Sequence, residues 1–296
     1  MIENLLAGLS SGLVTAGIIA IATTGFSLQF GITNFLNVAY GDYLTLAAFL
    51  WYAFAVAIGM GALPGLIIAL ALTAVFSVIC NRYLFRQISR RYKARPLVLM
   101  IVSLALSILI ENFLLAFAGS GYFSVHFGSI RPIINADGFS MNVDQIIIIL
   151  ISVVAMFLLT WLLKGTRLGK SMRAMADDVV LAQASGINTR RTEDFTWIIV
   201  GLIASISGFV LVLNTASFNT STGNALLWLI IPAAFVGGIG NPFGAMAGGA
   251  LLGLVSGLAS GLIGAQWDVV VAAAILLGVL LWRPQGIIAV VRGNIG

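Results

Sequence analysis

Long apolar runs, separated by short charged or turn-rich stretches, make up most of the chain. Each run is close to the length of a membrane helix, because about 20 residues in a helix cross roughly 30 Å of hydrocarbon. The pattern predicts an all-α fold, a polytopic transmembrane helix bundle of eight or nine membrane segments. Read between their polar boundaries, the segments are roughly 5–28, 33–58, 61–82, 97–118, 144–164, 195–216, 225–240, 243–264 and 266–283.

One segment, 225–240, leaves the number of crossings open. It is short and carries Pro232, so that a kinked helix and a re-entrant hairpin both fit it. A re-entrant hairpin is tolerated at membrane depth only where protein covers its backbone. No stretch of soluble-domain size is left over, so residues 1–296 are interpreted as one membrane domain.

Composition excludes several classes of protein. Only 8% of the residues are charged, whereas about 25% is usual in a soluble domain. The single cysteine (Cys80) and single histidine (His126) exclude a disulfide framework and a Cys/His metal cluster. The N-terminus lacks a basic stretch, so the first apolar run is expected to be a retained helix rather than a cleaved signal.

The basic residues cluster in two connections and at the C-terminus. Positive charge concentrates in cytoplasmic loops, so both connections and the C-terminus are expected inside, and nine crossings then place the N-terminus outside. This topology explains the net charge of +5 without a nucleic-acid partner. The residues concerned are Arg82, Arg86, Arg90, Arg91, Lys93 and Arg95, then Lys164, Arg167, Lys170, Arg173, Arg190 and Arg191, then Arg283 and Arg292, with only Arg131 on the opposite side.

A run of glycines at four-residue spacing marks a helix-packing face. Gly249, Gly253, Gly257 and Gly261 share one face of the segment 243–264. Small residues let membrane helices approach closely. Ordinary packing within the chain is the favoured interpretation, and a pathway wall or a contact with another membrane subunit is the alternative.

Five polar residues fall at or near membrane depth. They are Asn34, Asn37, Asp42, Glu111 and Asn214. Charged side chains in a bilayer are costly and usually face the protein interior. These residues are candidates for the lining of a solute pathway, although hydrogen bonding between helices is the favoured interpretation for any single one of them.

A polar island, residues 164–194, interrupts the apolar pattern and holds six of the fifteen Lys and Arg residues. Its start resembles a phosphate-binding loop, but only three residues separate Gly165 from Gly169, whereas that motif needs four before Gly-Lys-Ser/Thr. The pattern predicts a helix over 168–176 and a second helix that Asp177 or Asp178 caps and Gly186 ends.

One apolar face is predicted on these two helices. Met172, Met175, Val179, Ala182 and Gln183 fall near helical spacing among the charges. Such a face suits insertion into a groove of a partner protein. A helix that lies on the lipid surface is the alternative.

Four stretches resemble the permease subunits of ABC importers of the branched-chain amino acid type. The stretch 31–50 reads GITNFLNVAYGDYLTLAAFL and is similar to the signature of that family's second segment. The stretch 167–191 reads RLGKSMRAMADDVVLAQASGINTRR and is similar to its coupling loop. The C-terminal signatures correspond to FVGGIGNPFGAMAGGALLG (235–253) and RPQGI (283–287).

The resemblance implies a subunit of a bacterial inner-membrane importer. The cytoplasmic coupling loop, about 165–194, would dock into an ATPase subunit. The partners implied are a second permease, two cytoplasmic ATP-binding subunits, an external solute-binding protein and membrane lipid, with no cofactor and no enzymatic activity in this chain. The coupling residues would be Arg173, Ala176, Asp177, Asp178, Gly186 and Ile187.

Two departures from the family pattern bear on the solute. Tyr40 stands where the family has His, and Asp42 where it has Glu. Branched-chain amino acids are the expected solutes, while amides, urea or another amino acid remain alternatives. An ion-coupled carrier would need charged residues on broken helices at the midplane, and only Glu111 resembles one.

Overall fold

The computed structural model describes residues 2–92, 95–125, 134–136 and 139–282. In these ranges, helices account for nearly all of the regular structure. They are α1 (Ile2–Thr33), α2 (Tyr40–Tyr52), α3 (Ala62–Ile79), α4 (Arg86–Tyr92), α5 (Pro96–Ala118), α6 (Val143–Gly165), α7 (Arg167–Asp177), α8 (Val179–Ala184), α9 (Thr189–Thr215), α10 (Thr222–Gly237), α11 (Pro242–Ile263) and α12 (Asp268–Trp282).

Short irregular helices and strands complete the fold. Two π-helical turns, Ala53–Ala57 and Cys80–Phe85, continue α2 and α3, and a 3-10 turn, Ala265–Trp267, precedes α12. The strands form two antiparallel pairs, in which β1 pairs with β4 and β2 with β3. Their bounds are β1 (Phe123–Ser124), β2 (Ile134–Ala136), β3 (Phe139–Met141) and β4 (Ser217–Phe218).

In the described part of the chain, six helices are long and apolar enough to cross a membrane. Three further predicted segments correspond to shorter helices, namely α2, α10 and α12. All nine predicted segments therefore coincide with helices, but length and composition qualify six of them as spans. The six are Leu5–Thr33, Ala62–Tyr92, Pro96–Ala118, Val143–Gly165, Thr189–Thr215 and Pro242–Ile263.

The boundary between the first two segments differs from the prediction. Helix α1 continues to Thr33, and Asn34 then adopts a left-handed conformation with φ of 56°. Residues 34–39 are irregular, and α2 begins only at Tyr40. Asparagine tolerates this conformation better than most residues because its short side chain bonds locally. Apolar content alone gives no sign of such a break.

The segment with Pro232 forms one continuous helix, α10, with the proline inside it. The re-entrant hairpin is therefore wrong. Pro232 and its neighbours Ala233 and Ala234 are buried, so that protein surrounds this part of the helix backbone. Neighbouring helices allow proline at such positions in membrane proteins.

The predicted glycine face of α11 packs along α1. A Cβ atom built on Gly249 would lie 2.6 Å from the Cα atom of Ala20, and one built on Gly257 would collide with the backbone of Gly12. Gly261 lies close to Gly8 at the same seam. The backbones of the two helices thus touch, and the first long helix packs on the penultimate one.

Two ends of the bundle are chemically distinct. At one end, β1 pairs with β4, and Phe123 and Phe218 join Phe49 and Tyr52 in an aromatic cluster with ring centroids 5.0–5.7 Å apart. At the other end, residues 82–92 meet the polar island, and we call this the basic end. Helices α5 and α6 expose broad apolar faces between these ends, as expected beside lipid.

Candidate functional site

Two short helices, α7 and α8, form the tip of the polar island at the basic end. The Thr166 hydroxyl caps α7 by accepting a hydrogen bond of 3.0 Å from Gly169 N. A Cβ atom at Gly169 would collide with the carbonyl oxygens of Leu162 and Leu163. The turn from α6 into α7 therefore requires glycine at this position.

The predicted cap and stop of the second helix are both present. Asp178 accepts hydrogen bonds from Val180 N at 2.7 Å and Leu181 N at 3.0 Å, which caps α8. Gly186 takes a φ of 82° just after α8. Asn188 then caps α9 by accepting a bond from Arg191 N at 3.1 Å. Asp178, rather than Asp177, is the capping residue.

Only part of the predicted apolar face is exposed: Val179, at 39% exposure, and Gln183 lie at the surface, whereas the other three residues point into the bundle. Met172, Met175 and Ala182 are each less than 5% exposed, because they pack into the hydrophobic core of the bundle. The exposed apolar side chains belong to α8 instead, where Val180 is 75% and Leu181 66% exposed. These two residues were not predicted. Their signal in the sequence is the Val-Val-Leu run directly after the capping aspartate.

The six predicted coupling residues differ in their exposure to solvent. Four are exposed around α7 and α8: Arg173, Asp177, Asp178 and Gly186. Ala176 is half-buried, and Ile187 packs against the core cluster. Along the chain, the exposed set lies on both sides of Val180 and Leu181, which we call the apolar tip.

A cluster of ion pairs ties the island to the loop after α3. Arg86 Nε donates to Glu193 Oε2 at 3.2 Å, and the same guanidinium pairs with Asp194. Arg82 Nη2 lies 2.8 Å from Asp194 Oδ2. Arg86 also donates to the main-chain oxygen of Arg190 at 3.2 Å. These contacts join the first turns of α9, at the end of the island, to α4 and to the π-helical turn Cys80–Phe85.

The candidate pathway residues do not share one surface. Asn37 and Asp42 are buried, Glu111 is half-buried, and Asn34 and Asn214 are exposed. Asn34 and Asn37 belong to the predicted helical segment 33–58, but both lie in the irregular link before α2. Asn37 donates to Gln29 Oε1 of α1 at 3.1 Å.

Asp42 is the most unusual of these residues. It is 0% exposed, and neither carboxylate oxygen has a hydrogen-bond partner of ordinary geometry among the described residues. The polar groups that face it are Ser107 and Glu111 of α5. A buried, unpaired carboxylate is costly. Sequence position marks Asp42 as a candidate, but the facing groups on α5 are visible only in the fold.

Asp42 lies where two helices begin side by side. A Cβ atom at Gly41 in α2 would lie 2.7 Å from Gly223 O in α10, and Gly223 N donates to Thr45 Oγ1 at 2.9 Å. The second turn of α2 also packs on α9, since a Cβ atom at Gly208 would collide with Leu44 O. The N-terminal ends of α2 and α10 therefore meet inside the bundle.

Some predicted residues lie outside the described ranges. They are Lys93, His126, Arg131, Arg283 and Arg292, with the motif at 283–287. In the described residues, no group of three or more His, Cys, Asp or Glu side chains is arranged to hold a metal ion.

Comparison with known proteins gives one consistent family. The profile of the family described as branched-chain amino acid transport system, permease component, matches residues 8–280. The high-affinity branched-chain amino acid transport system permease protein LivH of Escherichia coli K12 is 26% identical over 290 residues, and the alignment covers 94% of this chain and 93% of that protein. The corresponding protein BraD of Pseudomonas aeruginosa is 27% identical over 303 residues, with 97% and 96% covered.

A solved structure shows a similar fold. PsaBC from Streptococcus pneumoniae in complex with Fab superposes with a TM-score of 0.51, covering 95% of each chain. Only 15% of the aligned residues are identical, so this likeness concerns the fold alone.

Proposed function

Because this chain belongs to the permease-component family of branched-chain amino acid transport systems, we propose that it forms the membrane pathway of an ATP-driven importer for these amino acids. The single observation that carries the proposal is the family match over residues 8–280. Relatives of nearly equal length bear the names of branched-chain amino acid permeases. The chain is a multi-pass membrane protein, and ATP hydrolysis belongs to partner subunits in this proposal.

The two-helix island is the proposed contact with the ATP-binding subunits. Val180 and Leu181 form an apolar tip, and Arg173 and Asp177 lie exposed nearby. An apolar knob with a charged rim fits a groove in a folded partner. The ion pairs of Arg86 with Glu193 and Asp194 support this role. Because they connect α4 to α9, a displacement of the island would be transmitted to both helices.

Nine crossings in one bacterial inner-membrane domain, 1–296, are proposed, with the coupling loop at 165–194 and the C-terminus in the cytoplasm. The pairing of β1 with β4 supports this order, because it brings the ends of α5 and α9 to the same side. Arg82 and Asp194 meet at the other side, which agrees with alternating crossings. The excess of positive charge there makes the basic end cytoplasmic.

The remaining partners follow from the family. A second permease subunit, two ATP-binding subunits and an external solute-binding protein would complete the importer. The exposed apolar faces of α5 and α6 are available to lipid or to the second permease. Asn34, Asn37, Asp42, Glu111 and Asn214 remain proposed contributors to the solute pathway, and Asp42 carries the strongest support because its buried carboxylate is unpaired.

A reconstituted assembly tests the proposal. The chain is co-purified with the ATPase subunits encoded beside it and placed in proteoliposomes with ATP inside and the solute-binding protein outside. Uptake of labelled leucine that needs both components is the expected result. Uptake driven by an ion gradient with no ATPase present would instead identify a secondary carrier. If the complex assembles but does not take up leucine, the proposal of an ATP-driven importer stands and leucine is excluded as its solute.

A pair of variants tests the docking tip separately. Val180→Asp with Leu181→Asp places charge on the exposed tip, so co-purification of the ATPase should fall. Tyr92→Asp is the control, since Tyr92 is equally exposed at the basic end but lies on α4 rather than on α8. Equal ATPase recovery from both variants would remove α8 from the interface.

A further inference from the structure

A cavity of about 230 Å³ lies at the basic end, between the coupling helices and the loop after α3. The end of α1, the π-helical turn 80–85, α4, α5, α7, α8 and the first turns of α9 all contribute to its wall. This cavity is separate in the fold from the buried Asp42, and neither the family match nor the coupling role explains its chemistry.

Positive charge prevails around the cavity. Arg86, Arg90 and Arg190 line it, against the single carboxylate of Glu193. Arg86 is engaged with Glu193 and Asp194. The guanidinium groups of Arg90 and Arg190 form no ion pair with any described residue. Two guanidinium groups on different helices therefore remain available to a carboxylate, which arginine binds with two parallel hydrogen bonds.

A buried amide with no hydrogen-bond partner faces the same space. Asn81 is 1% exposed and lines the cavity, yet neither its Oδ1 nor its Nδ2 atom has a partner of ordinary geometry among the described residues. The Glu193 carboxylate lies beside it. An unsatisfied buried amide is costly. A ligand that offers both a donor and an acceptor would satisfy this group.

The rest of the wall is apolar and comes from several helices. This surface suits an aliphatic group next to the charged mouth, as in small-molecule sites that combine an apolar wall with a few polar groups. The apolar residues are Ile32, Phe35, Phe85, Leu99, Met175 and Val179.

We propose that this cavity binds a free amino acid with an aliphatic side chain. The ligand's carboxylate pairs with Arg90 and Arg190, its ammonium group meets Glu193 and Asn81, and its side chain packs on the apolar wall. The bound molecule bridges α4 to α9 and lies against Met175 and Val179 of the coupling helices. It thereby restrains the coupling loop when the amino acid accumulates inside.

The site rests on the cavity, whereas the choice of leucine as ligand and the restraint on coupling rest on the proposed function. The test uses the full-length chain in nanodiscs of phosphatidylcholine, without ATPase subunits or binding protein. Binding of labelled L-leucine is measured at equilibrium. Arg90→Gln combined with Arg190→Gln should weaken it about tenfold or more, because both charged contacts to the carboxylate are lost.

A matched control comes from the adjacent arginines. Arg91→Gln combined with Arg191→Gln removes the same charge from the same two helices, but neither residue lines the cavity. Leucine affinity should be unchanged in this variant. Equal weakening in both double variants, or no effect in either, overturns the site. Asn81→Ala gives an independent arm that should also weaken leucine binding.

Leucine analogues and lipid composition identify the chemistry. Leucinol lacks the carboxylate and 4-methylpentanoate lacks the ammonium group, so both should bind more weakly than leucine. Unchanged binding of either analogue overturns the assigned contacts. Loss of leucine binding in nanodiscs that contain phosphatidylglycerol would make an anionic lipid headgroup the ligand and overturn the amino acid assignment.

Failure of the site and failure of the proposed function are distinguishable. A chain that binds no leucine alone, but takes up leucine in the complete assembly, overturns the cavity site and keeps the importer. A chain that binds leucine in the cavity, in an assembly that does not transport it, keeps the site and overturns the solute assignment.

Discussion

Arg86 and Asp194 form an ion pair between residues that are 108 positions apart in the sequence. Their side chains are only 14% and 15% exposed, whereas Arg82, which binds the same carboxylate, is 54% exposed. The pair joins the loop after α3 to the first turns of α9. The coupling helices thus sit on a support that both halves of the chain build.

Arg86→Ala is expected to destabilise the protein more than Arg82→Ala. Removing Arg86 leaves two partly buried carboxylates, Glu193 and Asp194, without their shared partner, which costs about 1–3 kcal/mol. The contribution of the solvent-screened Arg82 is small. Thermal unfolding in detergent measures both variants. Equal losses of thermal stability in the two variants would show that burial does not determine how much each arginine stabilises the protein.

Gly186→Val is expected to abolish ATP-driven uptake, while the chain still inserts into the membrane. A β-branched residue is strained at the φ of 82° found here, so the chain between α8 and α9 must rearrange. ATP hydrolysis stimulated by solute should then no longer drive transport. Gly186→Asn is the control, because asparagine tolerates the left-handed region. Normal uptake by the valine variant would argue against the coupling role.

Gly257→Leu is expected to reduce the yield of folded protein. A side chain there meets the backbone of Gly12, which cannot move aside, and overpacking typically costs about 1–3 kcal/mol. Gly278→Leu is the matched control in α12, where a Cβ atom finds nothing within 4 Å. Size-exclusion profiles of fluorescent fusions compare the two. Similar monodisperse yields would mean that the α1–α11 seam tolerates separation.

Glu111→Gln is expected to retain transport with an unchanged pH dependence. The side chain is only half-buried on α5, and an importer powered by ATP needs no proton relay there. Uptake by proteoliposomes is measured across a range of external pH. A response to proton gradients that disappears in this variant would favour an ion-coupled carrier instead.

Helices and local caps follow from the sequence because short-range chemistry determines them. Apolar runs locate helices at all nine predicted positions, and six of those helices are long and apolar enough to cross a membrane. Asp178 and Gly186 mark the start and end of α8, since a carboxylate satisfies free amides and glycine accepts a positive φ. These features involve residues within a few positions of one another.

Features that depend on distant contacts do not follow from the sequence. The charges of Arg86 and Asp194 identify basic and acidic loops, but nothing local indicates that they meet. The burial of Met172 and Met175 depends on the core cluster against which α7 packs. The same holds for Asp42, whose neighbours on α5 arrive from another part of the chain.

The seam between α1 and α11 imposes a delay on biogenesis. Roughly 200 residues separate the two helices, so at about 5–20 residues per second the ribosome completes α11 some 10–40 s after α1. During that time the Gly8–Gly12 face of α1 has no native partner in the membrane. Lipid, the insertion machinery or a chaperone must cover it, and truncated chains that end before Pro242 should be targets for membrane proteolysis.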